Sequence, residues 1–170
     1  MTDFNVKLRK FLKSDIPNKV SWINNPENNR YLHYDLPLSI KKSNLWFEKN
    51  QNNPSRYDAV IEYKNIPVGI IGILSIKNGK GEYYITIGEQ TAKGKGIARQ
   101  ATYQLINYAF ETLCLNEIYL YTEVDNIAAQ KLFEKCGFKK KFIEKQSALN
   151  RGKAVDRYFY SITKNEFSEK

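Results

Sequence analysis

Residues 82 to 110 read EYYITIGEQTAKGKGIARQATYQLINYAF, and this stretch restricts the fold more than any other. Tyr83 to Ile87 are aromatic or β-branched, the composition of a strand. Ile97, Ala101, Leu105, Ala109 and Leu113 then recur at every fourth position, flanked by Ala98, Ile106 and Phe110, which predicts a helix with one apolar stripe. Between the two lies Lys93-Gly94-Lys95-Gly96. A tight turn from strand to helix needs one glycine at most. Glycines alternating with lysines at a helix start serve a further purpose. The N-terminus of a helix offers unpaired N–H groups and a partial positive charge, glycine lets an anion approach them, and lysine adds charge. The loop reads as a phosphate cradle.

The rest of the chain supplies a sheet around this unit. NVKLRKFL (5–12) alternates as a strand, and Ser14 opens a helix with Pro17 in its first turn and Ile16, Val20 and Ile23 at helical spacing. Residues 24–39 are polar and punctuated, a loop, before a second helix after Ser39 carrying Ile40, Leu45, Trp46 and Phe47. Strands are expected at 56–64 and 67–77, joined by Asn65-Ile66, and at 81–89 after the Asn78-Gly79 turn. EIYLYTEV (117–124) is a strand; Asp125 or Asn126 then caps a short helix with Ala128, Ala129, Leu132, Phe133 and Cys136 inward, stopped by Gly137. Strands at 138–146 and 155–163, joined by NRGK, complete the order βααβββαβαββ. This predicts a single α/β domain of the α+β type over residues 1–170, built on one mixed central sheet, with no repeat and no internal linker.

At 170 residues, 42% of them hydrophobic, the chain can bury the core of one domain. Its net charge of +9 favours anionic partners such as nucleic acid, acidic membrane or a phosphate-bearing small molecule, without choosing among them. Two cysteines, both in segments that read as helical, and a single histidine show no metal-ligand spacing, so no metal is expected. The start, MTDFNVKLRKFLK, has no apolar core and does not read as a signal peptide. The longest apolar run (66–76) is far shorter than a membrane span and is broken by Pro67 and two glycines. A reducing, cytoplasmic setting is expected.

Two phosphate-loop patterns fail on this loop. In a Walker A motif the gap from Gly88 to Gly94 is one residue too long, and Lys95 is followed by glycine. A dinucleotide fingerprint would need a third glycine where Ile97, Ala98 and Arg99 follow. A third pattern fits. Lys93-Gly94-Lys95-Gly96-Ile97-Ala98 resembles the [QR]-x-x-G-x-[GA] motif of the GNAT superfamily of acyl-CoA-dependent N-acyltransferases, with Lys93 in place of the usual Gln or Arg and the charge retained. TEVDNIAAQKLFEKCGF (122–138) is similar to the second signature of that superfamily. WINNPENNRYL and LNRGKAVDRYFYSI are similar to segments of the branch holding ribosomal-protein alanine, spermidine and amino-sugar acetyltransferases.

The resemblance implies a sheet whose strands splay at the cofactor site, and an acetyl group moved directly from acetyl-CoA to a primary amine. Backbone groups of Ile85, Thr86 and Ile87 would pair with pantetheine, and the N–H groups from Gly94 to Ala98 would hold the pyrophosphate. Lys93, Lys95 and Arg99 would supply countercharge, and Asn126 would bond to the pantetheine arm, cap its helix, or both. Acetyl transfer needs a neutral amine and a donor for the oxyanion. The Ile87 N–H is the expected donor. Glu82 is the first candidate base and Glu123 the second; either reads equally well as a solvated strand carboxylate. Phe133 occupies the position of the tyrosine that often protonates the leaving thiolate. Water, or Tyr121, Tyr158 or Tyr160, would take its place.

His33 reads as structural or exposed, while Trp22, Tyr31, Tyr34 and Trp46 are candidates for an acceptor wall. The loop holding them offers only Glu27 and Asp35 to a polycation. A small amine or amino sugar therefore ranks above a protein N-terminus as acceptor. The expected partners are acetyl-CoA and that amine, without nucleic acid or membrane, and a homodimer is allowed. Two rival readings stand beside this one: a basic nucleic-acid-binding module, on charge alone, and a family member that binds acyl-CoA without catalysis, which Phe133 keeps open.

Overall fold

Runs of β-branched and aromatic residues form seven strands that hydrogen-bond into one sheet in the order β1-β2-β3-β4-β5-β7-β6. These are β1 (Val6–Lys10), β2 (Tyr57–Tyr63), β3 (Ile66–Lys77), β4 (Lys80–Ile87), β5 (Glu117–Glu123), β6 (Lys139–Asn150) and β7 (Lys153–Thr163). The computed structural model describes residues 5–168, so the outermost residues of the expected 1–170 domain lie outside the described residues. Every neighbouring pair is antiparallel except β4 with β5. The helices among the described residues are α1 (Ile16–Asn24), α2 (Pro26–Asn29), α3 (Ile40–Asn50), α4 (Ile97–Glu111), α5 (Ile127–Lys135) and α6 (Lys164–Ser168).

Strand alternation divides the apolar residues between two cores. Ala59, Ile61, Ile71, Ile73, Ile118 and Leu120 face the stripe of α4, where Ile97, Ala101, Leu105 and Ala109 are at most 2% exposed. Val60 and Ile70, on the other face, pack with Ile16, Trp22 and Ile23 of α1. Gly88 makes the second contact close: a Cβ there would sit 2.0 Å from the Trp22 ring. The Trp22 Nε1 donates to Glu89 Oε1 at 2.7 Å, which fixes α1 against the end of β4.

Several boundaries differ from the sequence reading. The β2–β3 turn is Lys64-Asn65, both with positive φ (52° and 65°), and Ile66 already belongs to β3. Such a mirror-image two-residue turn matches the twist of a hairpin, and Asn65-Ile66 would have put a β-branched residue where φ must be positive. α2 lies in the stretch expected to be loop: Asn25 accepts from the Glu27 N–H at 3.0 Å and Pro26 opens the helix. α4 ends at Glu111, so Leu113 packs on the core from beyond it, and Cys114 lies in the turn with φ 57°. On α5, Ala128 is exposed, and Gln130 joins Phe133 as a buried residue. The β6–β7 turn is only Arg151-Gly152, and both strands run longer than expected. α6 carries no signal noted above. Among the described residues, no helix is long and apolar enough to cross a membrane, and no cluster of His, Cys, Asp and Glu could hold a metal ion.

Candidate active site

The parallel pairing of β4 with β5 covers only Lys80↔Glu117, Gly81↔Ile118 and Glu82↔Tyr119. Beyond it the strands diverge, while β4 stays paired with β3 as far as Gly69↔Ile87. The Gly88 N–H donates to the Val68 carbonyl at 2.8 Å, which fixes the alternation. Tyr84 and Thr86 turn their backbone groups toward β3; Ile85 and Ile87 turn theirs into the gap. Of the three residues expected to pair with a ligand through the backbone, Thr86 therefore presents its side chain instead.

The chain next passes a 3₁₀ turn (Gln90–Ala92) and reaches the glycine loop. Gly94 and Gly96 have φ of 76° and 75°, and a Cβ on either would meet nothing within 4 Å. The N–H groups of Gly94, Lys95 and Gly96 meet no acceptor among the described residues. Gly96 is the N-cap of α4 and brings no side chain to it. Ile97, 2% exposed, roots the helix start in the core, and the Ala98 carbonyl accepts from the Thr102 hydroxyl at 2.6 Å. An exposed loop of this kind, with donors turned outward, fits a pyrophosphate. The three cations lean on different neighbours. Lys93 Nζ donates to Asn28 Oδ1 at 2.6 Å, Lys95 Nζ lies 5.8 Å from the Tyr63 ring centre, and Arg99 lies 5.7 Å from that of Tyr103.

A cavity of about 500 Å³ runs through the gap between β4 and β5. On the α5 side Asn126, Ala129, Leu132 and Phe133 line it; on the α1–α3 side Lys19, Tyr34, Glu82, Tyr121, Glu123 and Arg157 do. The Asn126 side chain accepts from the Ala129 N–H at 3.3 Å, capping α5 as expected. Phe133 sits among Tyr83, Phe138 and Tyr160, with ring centres 5.7, 6.0 and 6.2 Å away. The neighbouring phenols are both engaged: Tyr83 pairs with Thr102 at 2.7 Å, and Tyr160 donates to Glu134 at 3.0 Å. Tyr158 lies under Lys140, 3.9 Å from ring centre to Nζ.

The two candidate carboxylates occupy different environments. Burial pushes the Glu82 carboxyl above the ordinary carboxylate range, and the charge of Arg157 restrains that rise. Glu123, 8% exposed, lies with Oε2 at 2.8 Å from His33 Nε2 and accepts from Asn150 Nδ2 at 2.6 Å. Tyr121 packs under Arg157, 4.4 Å from its ring centre, and burial raises its phenol. His33, read from sequence as structural or exposed, is exposed, and it also touches the site through Glu123.

The same polar cluster joins three distant segments. Asn150 Nδ2 also donates to the Arg30 carbonyl at 2.9 Å, and Arg151 Nη2 donates to Asn29 Oδ1 at 2.6 Å. The β6–β7 hairpin thereby holds residues 29–33 over the cavity. Glu123→Ala removes the acceptor that ties His33 and Asn150 together, while Asn150 keeps the Arg30 carbonyl, and urea denaturation should show a loss of about 0.5–1.5 kcal/mol. An unchanged midpoint and slope would show that the cluster does not hold this wall.

A family model described as an acetyltransferase (GNAT) domain matches residues 5–139. An uncharacterized N-acetyltransferase p20 of Bacillus licheniformis is 24% identical over 168 residues, 95% of this chain and 94% of the relative. A spermidine N(1)-acetyltransferase of Vibrio cholerae is 28% identical over 124 residues, 69% of this chain and 71% of the relative. The fold superposes with a TM-score of 0.91 on a crystal structure of spermidine N-acetyltransferase from Vibrio cholerae in complex with CoA and spermine. That match is 22% identical and covers 98% of this chain and 99% of the other. With the glycine loop at the start of α4 and the strands splayed beside it, the chain belongs to the GNAT family of acetyltransferases and is an acetyl-CoA-dependent N-acetyltransferase.

Proposed function

We propose that this chain acetylates a small primary amine held on the α1–α3 side of the cavity, with the acetyl donor laid along the open edge of β4. The observation that carries this reading is the cavity itself, which joins the apolar wall of Phe133 and Leu132 to the half-buried carboxylate of Glu82 through the gap. Glu82 takes the proton of the amine, directly or through one water, because burial has raised its affinity for a proton. The Ile87 N–H, on the open side of β4, donates to the oxyanion as the amine nitrogen bonds to the acetyl carbon. Gly94 to Ala98 hold the pyrophosphate through their N–H groups, with Lys95 and Arg99 at its edge, and Lys93 near Asn28 on the side of α2. Asn126 keeps a side-chain N–H₂ for the pantetheine arm while its oxygen caps α5.

When the C–S bond breaks, the thiolate takes its proton from water. Phe133 cannot supply one, the phenols beside it are engaged, and a thiol with a pKa of about 8.5 tolerates leaving as its anion. Tyr121 remains the candidate donor on the opposite wall. Glu123 serves as a positioning residue for His33 and Asn150 in this scheme. The spermidine acetyltransferases among the relatives support a small amine over a protein N-terminus. A dodecameric structure of the Vibrio cholerae enzyme supports an assembly of several copies, the homodimer being its simplest form. The chain works as one catalytic domain in the cytoplasm.

The test is thiol release from acetyl-CoA against a panel of polyamines, amino acids and amino sugars. Turnover with at least one amine is expected. Tight acetyl-CoA binding without release across the panel would instead support a non-catalytic acyl-CoA-binding protein.

A further inference from the structure

The α1–α3 wall of the cavity contains a largely buried lysine whose ammonium opens on the cavity and meets no carboxylate. Lys19 is 9% exposed and lines the cavity, its Nζ lying 3.6 Å from the ring centre of Trp46 and 5.7 and 6.0 Å from those of Phe11 and Tyr34. Among the described residues no carboxylate oxygen comes within ion-pair distance of it. The Asp58 carboxylate, whose charge reaches Lys19, is taken up by the fork of Arg56 (2.7 and 2.9 Å) and by the Tyr84 hydroxyl. Glu123 is taken up by His33 and Asn150, and Glu82 faces Arg157. The Tyr34 hydroxyl, on the same wall, has no hydrogen-bond partner among the described residues.

A poorly hydrated ammonium without a counterion is costly, and stacking on an aromatic face offsets only part of that cost. Burial accordingly pushes the Lys19 amine down to about 8, with the charge of Asp58 opposing the shift and that of Arg56 adding to it. An anion brought by a ligand would supply what the protein does not. A second ammonium, such as a polyamine carries, would meet Lys19 and Arg56 instead.

Resting on the transferase reading above, we propose that the acceptor carries an anionic group, a carboxylate or a phosphate, bound by Lys19 and the Tyr34 hydroxyl while its amine lies at Glu82. Lys19 thereby acts as a specificity-determining residue. It selects amino acids or phosphorylated amino sugars over polyamines.

Matched acceptors test this: 1,4-diaminobutane against ornithine, glucosamine against glucosamine 6-phosphate, and spermidine, with kcat/KM read from thiol release. At least one anionic member should exceed its counterpart without the anionic group by about tenfold or more, the scale of a charge-assisted hydrogen bond. The two pairs distinguish a carboxylate from a phosphate. In Lys19→Met, which keeps volume and removes a buried charge, that preference should collapse while acetyl-CoA affinity and the melting temperature do not fall. Tyr34→Phe, a smaller change, should reduce the preference in the same direction. Faster turnover of diaminobutane, glucosamine or spermidine, or a preference that survives Lys19→Met, overturns the proposal. If a protein that binds acetyl-CoA transfers to no amine at all, the transferase reading fails and this inference falls with it.

Discussion

Gly96→Glu is expected to weaken acetyl-CoA binding by about a hundredfold or more in calorimetry, a change of roughly 2.7 kcal/mol, in a protein that still folds. Folding survives because the position is open. Nothing lies within 4 Å of a Cβ there, and Gly94 and Gly96 project from the loop rather than into the core. A side chain at φ 75° costs about 1–2 kcal/mol, and a carboxylate at the start of α4 recovers roughly 0.3–1 kcal/mol from the helix dipole. The same carboxylate competes for the N–H groups that the pyrophosphate needs, and it repels the phosphates. Gly96→Asn separates strain from charge: asparagine tolerates this backbone and is neutral, so its loss should be clearly smaller. Full affinity in a folded Gly96→Glu protein would move the pyrophosphate away from this loop.

What could be read from the sequence was what is local. The period of α4, the Lys-Gly alternation before it and the Asn126 cap all lie within a few residues of the feature they determine. The gap between β4 and β5 left no local mark. It is a property of pairing that stops after Glu82↔Tyr119, and only the resemblance pointed to it. The environment of Glu123 was also hidden, since its partners His33 and Asn150 lie 90 and 27 positions away. Lys19 carries no sequence signal, because Trp46, which covers it, lies 27 positions away. The β2–β3 turn lies one residue before Asn65-Ile66 because Lys64, a residue with no turn preference, adopts positive φ beside Asn65. In α2 the signal existed: Asn25-Pro26-Glu27 is a cap, a first-turn proline and an acidic first turn.

Glu82→Gln should lower kcat by about 10²–10⁴, the usual contribution of a general base, with acetyl-CoA affinity unchanged. Glu82 lies on the side of the sheet that faces Tyr121 and Arg157, away from the glycine loop, so the two variants act on separate parts of the site. The sign of the pH effect follows from burial. With its carboxyl raised, Glu82 is protonated over a window above the ordinary carboxylate range, so wild-type activity should fall with falling pH in that window. The residual activity of Glu82→Gln should lack this limb and keep only the rise that comes from deprotonating the amine. Stability runs the other way. A group whose folded-state pKa is raised costs stability wherever it is ionised in the fold, so the amide should not lower the melting temperature at pH 8. A protein that loses activity without losing stability identifies a group placed for chemistry. If Glu82→Gln keeps its kcat and its acidic limb, the proton goes to water held in the cavity, and Glu82 is a strand carboxylate that Arg157 keeps company.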